Sequence, residues 1–118
     1  MFSAKLLSVL EKVKGSQSIF IMDGDGLFID KAFATSDRSY ETLAVECTSL
    51  IKNSLSFTAN PQLNNMEEII LNSEEIRIII RIIVPNYYLL LFTGVGTNLG
   101  KARYELLMAK YDLEEDFS

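Results

Sequence analysis

The apolar positions change period along the chain, from helical spacing to strand spacing and back. Near the start, Phe2, Leu6, Leu7, Val9, Leu10 and Val13 recur at helical intervals with lysines and Glu11 between them, and Gly15 is placed to end that helix. "SIFIMD" (18–23) is a short apolar run and reads as a buried strand. "DGDG" (23–26) is a tight-turn signature, and "LFIDKAF" (27–33) returns as a second strand, so the pair forms a hairpin. "TSD" (35–37) offers N-cap oxygens, and the pattern predicts a helix from about Asp37 to Phe57. On that helix Tyr40, Leu43, Ala44, Cys47, Leu50, Ile51 and Leu55 make one apolar stripe. "ANPQ" (59–62) breaks the chain. "MEEIIL" (66–71) is a third strand and "NSEE" (72–75) a turn. "IRIIIRIIV" (76–84) is a fourth strand, apolar and β-branched on both faces as a central strand is. "PNY" turns it, "YYLLLF" (87–92) is a fifth strand, and residues 99–111 form a last helix with Leu99, Ala102, Leu106, Leu107 and Ala109 as its apolar contributors. The acidic end "DLEEDFS" reads as a frayed terminus. The order α-β-β-α-β-β-β-α, dominated by hairpins, gives an α+β sandwich: a mostly antiparallel five-stranded sheet covered by helices.

Length and composition narrow the functional classes. At 118 residues, one domain spanning 1–118 is the default. Forty-eight per cent apolar content supports a real core, and disorder needs far less. Eleven basic against sixteen acidic residues leave a net charge of −5, which argues against general nucleic-acid binding and against anionic membranes. With Cys47 as the one cysteine, an intramolecular disulfide is impossible and a reducing compartment fits. "MFSAKLLSVLEKVKG" does not read as a signal peptide. The longest membrane-helix candidate, "IRIIIRIIV", is too short and carries Arg77 and Arg81, so the expectation is a cytoplasmic protein without membrane insertion. The absence of histidine removes the commonest general base and metal ligand.

The stretch that most invites a chemical reading is "GVGTNLGKA" (94–102), which joins an apolar strand to a helix. A phosphate-binding loop reads G-x-x-x-x-G-K-[ST]. Counted back from Lys101 and Gly100, the first glycine falls on Val95, and Ala102 replaces the hydroxyl that holds magnesium. A dinucleotide fingerprint is also missed by one residue, and both motifs open a βαβ unit whose following strand is absent here. The glycines then simply relieve a strand-to-helix corner, with Asn98 or Thr97 as the cap. "DGDG" fails as a calcium loop, because position six from Asp23 is Phe28 and position twelve is Ala34. Glu67/Glu68 and Glu74/Glu75 sit at strand edges, where solvated charge is expected. Cys47 has no histidine to activate it and reads as a small core residue. No catalytic residue, metal site or cofactor is assigned.

Two features point instead to protein contact. The face of the central helix away from its stripe carries Thr42, Val45, Glu46, Ser49, Lys52, Asn53 and Ser56. It is small, hydroxylated and weakly charged, which suits close approach of a helix or partner surface, although an ordinary exposed face can look the same. "MEEIIL" is short, apolar and beside a loop, and so is a candidate open edge.

The succession "SIFIMDGDGLFIDKAF", a long central helix, "MEEIILNSEEIRIIIRIIVPNYYLLLFTG" and "TNLGKARYELLMA" resembles the roadblock/dynein light chain family, and within it the MglB-like bacterial and archaeal members. The resemblance covers about residues 3 to 111. It implies a profilin-like fold with helices on both faces of the sheet. It also implies a homodimer in which the third strands (Met66, Glu67, Glu68, Ile69, Ile70, Leu71) pair across a two-fold axis. The central helices then lie antiparallel, with Ser49 and Asn53 at the contact. Members of the family bind Ras-like small GTPases, as GTPase-activating proteins that insert no arginine finger or as scaffold subunits. Carried onto this chain, the binding platform comprises Glu41, Thr42, Val45, Thr48, Ser49 and Lys52. A structural dimer in a larger motor or transport complex, and a small-ligand sensor with a profilin-like or PAS-like pocket, are the alternatives. If an arginine finger acts after all, Arg38 is the candidate; Arg77 and Arg81 suit ion pairs on their strand.

Overall fold

The computed structural model describes residues 1–34 and 40–117. The elements are α1 (Ser3–Lys12), β1 (Ser16–Asp23), β2 (Phe28–Phe33), α2 (Glu41–Phe57), β3 (Glu68–Asn72), β4 (Ile76–Val84), β5 (Tyr87–Gly94) and α3 (Leu99–Leu113), followed by a 3-10 turn over Glu114–Phe117. The sheet is antiparallel throughout with the order β2-β1-β5-β4-β3. The central strand is therefore β5. β4, expected as a central strand from its apolar run on both faces, is interior, flanked by β5 and β3.

Strand alternation sorts the core into two layers. Ile19, Ile21, Ile79, Ile83, Leu89 and Leu91 point to the face covered by α1 and α3, where Leu6, Val9, Ala102, Leu106 and Leu113 meet them. Phe20, Met22, Ile78, Ile80, Tyr88, Leu90 and Phe92 point to the opposite face, which α2 covers with Ala44, Cys47 and Ile51. Each fully buried Leu, Ile or Phe contributes about 1.5–3 kcal/mol of transfer free energy. Tyr40, with φ of 59°, stacks its ring on Phe92 at 5.1 Å and so pins the start of α2 over β5. Of the expected α2 stripe, Leu55 is not covered; it is 38% exposed. The expected "TSD" cap and Arg38 lie outside the described residues.

The turns behave as their residues require. Asp23 Oδ1 accepts from the N–H of Asp25 at 2.9 Å and of Leu27 at 3.1 Å, and Gly26 takes a φ of 84°. "DGDG" is thus a hairpin turn closed by its own aspartate. At the strand-to-helix corner, Asn98 Oδ1 accepts from Lys101 N at 3.0 Å, so Asn98 is the cap. Arg77 fixes the corner from β4: its guanidinium donates to Thr97 O at 2.9 Å and to Asn72 Oδ1 at 2.6 Å.

The C-terminal tail differs from the expectation of fraying. Helix α3 continues to Leu113, which is 1% exposed, and the following turn docks Phe117 against Phe2 (ring centroids 5.3 Å) and Tyr87 (4.7 Å). Lys110 Nζ pairs with Glu114 at 2.9 Å. Two apolar anchors one helical turn apart outweigh the acidic composition around them. No helix among the described residues is long and apolar enough to cross a membrane.

Candidate protein-protein interface

The two faces of the sheet are unequally covered. Five strands spaced at about 4.8 Å make a surface near 19 Å wide, whereas a helix with its side chains is about 10 Å across. Two helices can cover such a face and one cannot. On one flank α2 stands over the β1–β2 turn: a side chain at Gly26 would come within 3.6 Å of Thr48 Cγ2 and 3.8 Å of Val45 Cγ1. On its other flank it leaves an open groove of about 360 Å³, in which Leu43, Glu46, Cys47 and Leu50 face Leu71, Ile76 and Ile78 of β3 and β4. Leu43, Leu50 and Phe57 recur at heptad spacing along this flank. Leu43 and Leu50 are half-buried, and Phe57 is 72% exposed.

Beside the groove runs the open edge of the sheet. Glu67 O accepts from Ile82 N at 3.1 Å, and Ser73 N donates to Ile76 O at 2.9 Å, so odd-numbered residues of β3 turn their peptide groups toward β4. The ladder alternates, so Glu68, Ile70 and Asn72 present theirs outward. Ile69 and Leu71 pack toward the α2 side and Ile70 toward α3, all half-buried. The strand begins at Glu68. Met66, expected within it, precedes it and packs under the α2 face, and Glu67 is exposed. Glu68 offers its backbone to the edge, but its carboxylate is engaged within the chain: Arg103 Nη2 lies at 2.9 Å and Arg81 Nη1 at 3.6 Å. The hydrogen bond from Arg103 to Glu68 holds the Arg103 pKa above its ordinary value.

The expected platform residues divide between two surfaces of α2. Thr42, Ser49, Lys52 and Asn53 are exposed on its outer side. Glu41 pairs with Lys31 of β2 at 3.3 Å. Val45 and Thr48 lie against the β1–β2 turn at Gly26. Thr48 Oγ1 donates to Val45 O at 2.6 Å, so that hydroxyl is already used. The helix face read from the sequence as hydroxylated and weakly charged thus borders the β1–β2 turn on one side. The groove side, with Leu43, Leu50 and Phe57, was not singled out as a contact surface; the heptad spacing was the signal for it.

The remaining candidates resolve into structural roles. Burial, with a smaller contribution from Glu46, pushes the Cys47 thiol up to about 11, as befits a core residue. A second cavity, of about 560 Å³, lies between the end of α2 and the end of β4, lined by Leu55, Met66, Ile82, Val84, Arg81 and Lys110 among others. The glycine corner contributes nothing to it.

An antiparallel sheet in the order β2-β1-β5-β4-β3, backed by two helices on one face and a single helix on the other, is the roadblock fold, and this chain has it. A Roadblock/LC7 domain from Streptomyces avermitilis superimposes with a TM-score of 0.86 at 13% identity, covering 98% of this chain and 96% of that one. Myxococcus xanthus MglB gives 0.86 at 16% identity over 98% and 94% of the two chains, and MglC from the same organism gives 0.72 at 23% identity over 98% of each. No protein-family model and no curated protein matches the chain by sequence.

Proposed function

We propose that this protein is a homodimeric regulatory or scaffold subunit that binds a Ras-like small GTPase in the cytoplasm and carries no catalytic residue of its own. The observation behind it is the Leu43–Leu50–Phe57 flank of α2, lying open beside the unpaired edge of β3. A second copy, related by a two-fold axis, extends the sheet through β3 and lays its α2 along the same groove. The two α2 helices then form a shared platform, exposing Thr42, Val45, Ser49 and Lys52 twice over. The structural likeness to MglB and MglC, and the sequence words shared with the roadblock family, favour a GTPase as the occupant of that platform. In this reading any stimulation of GTP hydrolysis acts by reshaping the partner's own site.

The test is binding of Ras-like GTPases from the source organism to the immobilised protein, each loaded with GDP or with a non-hydrolysable GTP analogue. Nucleotide-dependent binding that Val45→Glu and Ser49→Arg weaken supports the platform. Equal binding by these variants, or no binding in either nucleotide state, removes the GTPase assignment and leaves a purely structural subunit.

A further inference from the structure

Resting on the homodimer reading above, we infer that the β3 edges pair in one register, centred on Ile70, and that Glu74 of each copy completes a charge cluster on the other. Three observations lead to this. First, the outward-facing peptide groups belong to Glu68, Ile70 and Asn72, so a two-fold antiparallel pairing must match these positions with one another. Placing Ile70 opposite the partner's Ile70 sets Glu68 opposite the partner's Asn72 and uses the whole of the strand Glu68–Asn72. Moving the axis one residue toward Leu71 leaves Glu68 opposite the partner's Glu74, which lies in the β3–β4 turn beyond the strand. Moving it toward Ile69 leaves Asn72 opposite a residue that precedes the strand.

Second, two guanidiniums converge on one carboxylate at this edge. Arg81 and Arg103 share the single carboxylate of Glu68. Arg103 holds it at 2.9–3.2 Å, which leaves Arg81 at 3.6 Å with a buried Nε that has no hydrogen-bond partner. Two guanidiniums on one carboxylate leave room for a second anion. Third, Glu74 is exposed in the β3–β4 turn and, among the described residues, has no cationic partner. In the Ile70-centred register the partner's Glu74 stands opposite Met66. That is one strand across and two residues along from Glu68, about 8 Å between Cα atoms. From there the partner's Glu74 side chain extends toward the Arg103 guanidinium, which already reaches Glu68. The partner's Glu74 then supplies the missing carboxylate to Arg103 and Arg81, twice per dimer.

Single cysteines at positions 69, 70 and 71 in a Cys47→Ala background read the register directly, since only the residue on the axis meets its own copy. A hydrogen-bonded antiparallel pair separates Cα atoms by about 5.5 Å, within disulfide range. Expected is strong self-crosslinking of Ile70→Cys and little at the other two. Sedimentation equilibrium should show Glu74→Gln weakening the dimer about tenfold at low salt, with the difference gone near 1 M salt. Crosslinking strongest at 69 or 71, or a Glu74→Gln dimer as tight as the parent, overturns the register and the charge contact while leaving the homodimer standing. A parent protein that is monomeric overturns the homodimer as well, and one that dimerises without any β3 crosslink overturns the pairing of the β3 edges.

Discussion

Asp30 shows how one side chain ties together distant parts of the chain. Its carboxylate accepts from Phe2 N at 2.8 Å and lies 3.5 Å from the terminal ammonium of Met1, so β2 holds the entry to α1. Burial alone would raise its pKa. The backbone N–H groups of Lys31 and Phe2 and the nearby terminal ammonium outweigh that and bring it below the ordinary 3.8. A carboxylate depressed in the folded state contributes stability above its unfolded pKa and loses that contribution as the pH falls through the folded value. Asp30→Asn should therefore lower the thermal midpoint at neutral pH, by an amount matching about 1 kcal/mol. The gap between variant and parent should close as the pH falls below 3.8. A gap that persists unchanged in acid means the variant's cost is steric rather than ionic. Cys47 is the contrasting case: its raised pKa marks a neutral thiol among apolar neighbours, which agrees with its reading as a packing residue.

At the scale of elements, the final helix is a support that its composition conceals. Leu113 is buried against the α1/α3 core, and Phe117 packs between Phe2 and Tyr87. Leu113→Ala should cost about 2–5 kcal/mol, read as a lower denaturant midpoint with an unchanged slope; a loss under a few tenths would show the tail to be loosely held. Sequence pattern located every strand and helix, because strand periods and apolar runs report burial directly. It placed the tail wrongly because four acidic residues, Asp112, Glu114, Glu115 and Asp116, surround Leu113 and Phe117, and composition over a short window hides two anchors one turn apart. It marked β4 as an interior strand but not its neighbours, because strand order depends on nonlocal pairing. The open edge at β3 was legible from its shortness and its adjoining loop. The groove flank of α2 was harder to read, since Leu43 and Leu50 carry the same signature whether they face their own sheet or a second copy. Phe57, at the helix end, lay beyond the stripe as drawn.

For the whole molecule, the consequence is a division of labour between folding and association. The α1/α3 face closes within one chain, whereas the α2 face leaves its β3/β4 side open. In the proposed dimer, stability at the working concentration includes the association free energy, so the thermal midpoint should rise with protein concentration. Two substitutions separate the contributions. Phe57 is 72% exposed in the single chain, so Phe57→Ser removes almost no intrachain contact. Leu113 is buried in the α1/α3 core, so Leu113→Ala alters no exposed side chain of the associating surface. Phe57→Ser should weaken the dimer tenfold or more in sedimentation equilibrium. It should leave the midpoint of the dilute, dissociated protein unchanged and flatten its dependence on concentration. Leu113→Ala should lower the midpoint at every concentration while the slope with concentration stays that of the parent. If Phe57→Ser instead lowers the dilute midpoint and spares association, α2 is using that flank to close its own chain, and the groove beside β3 is not where a second copy docks.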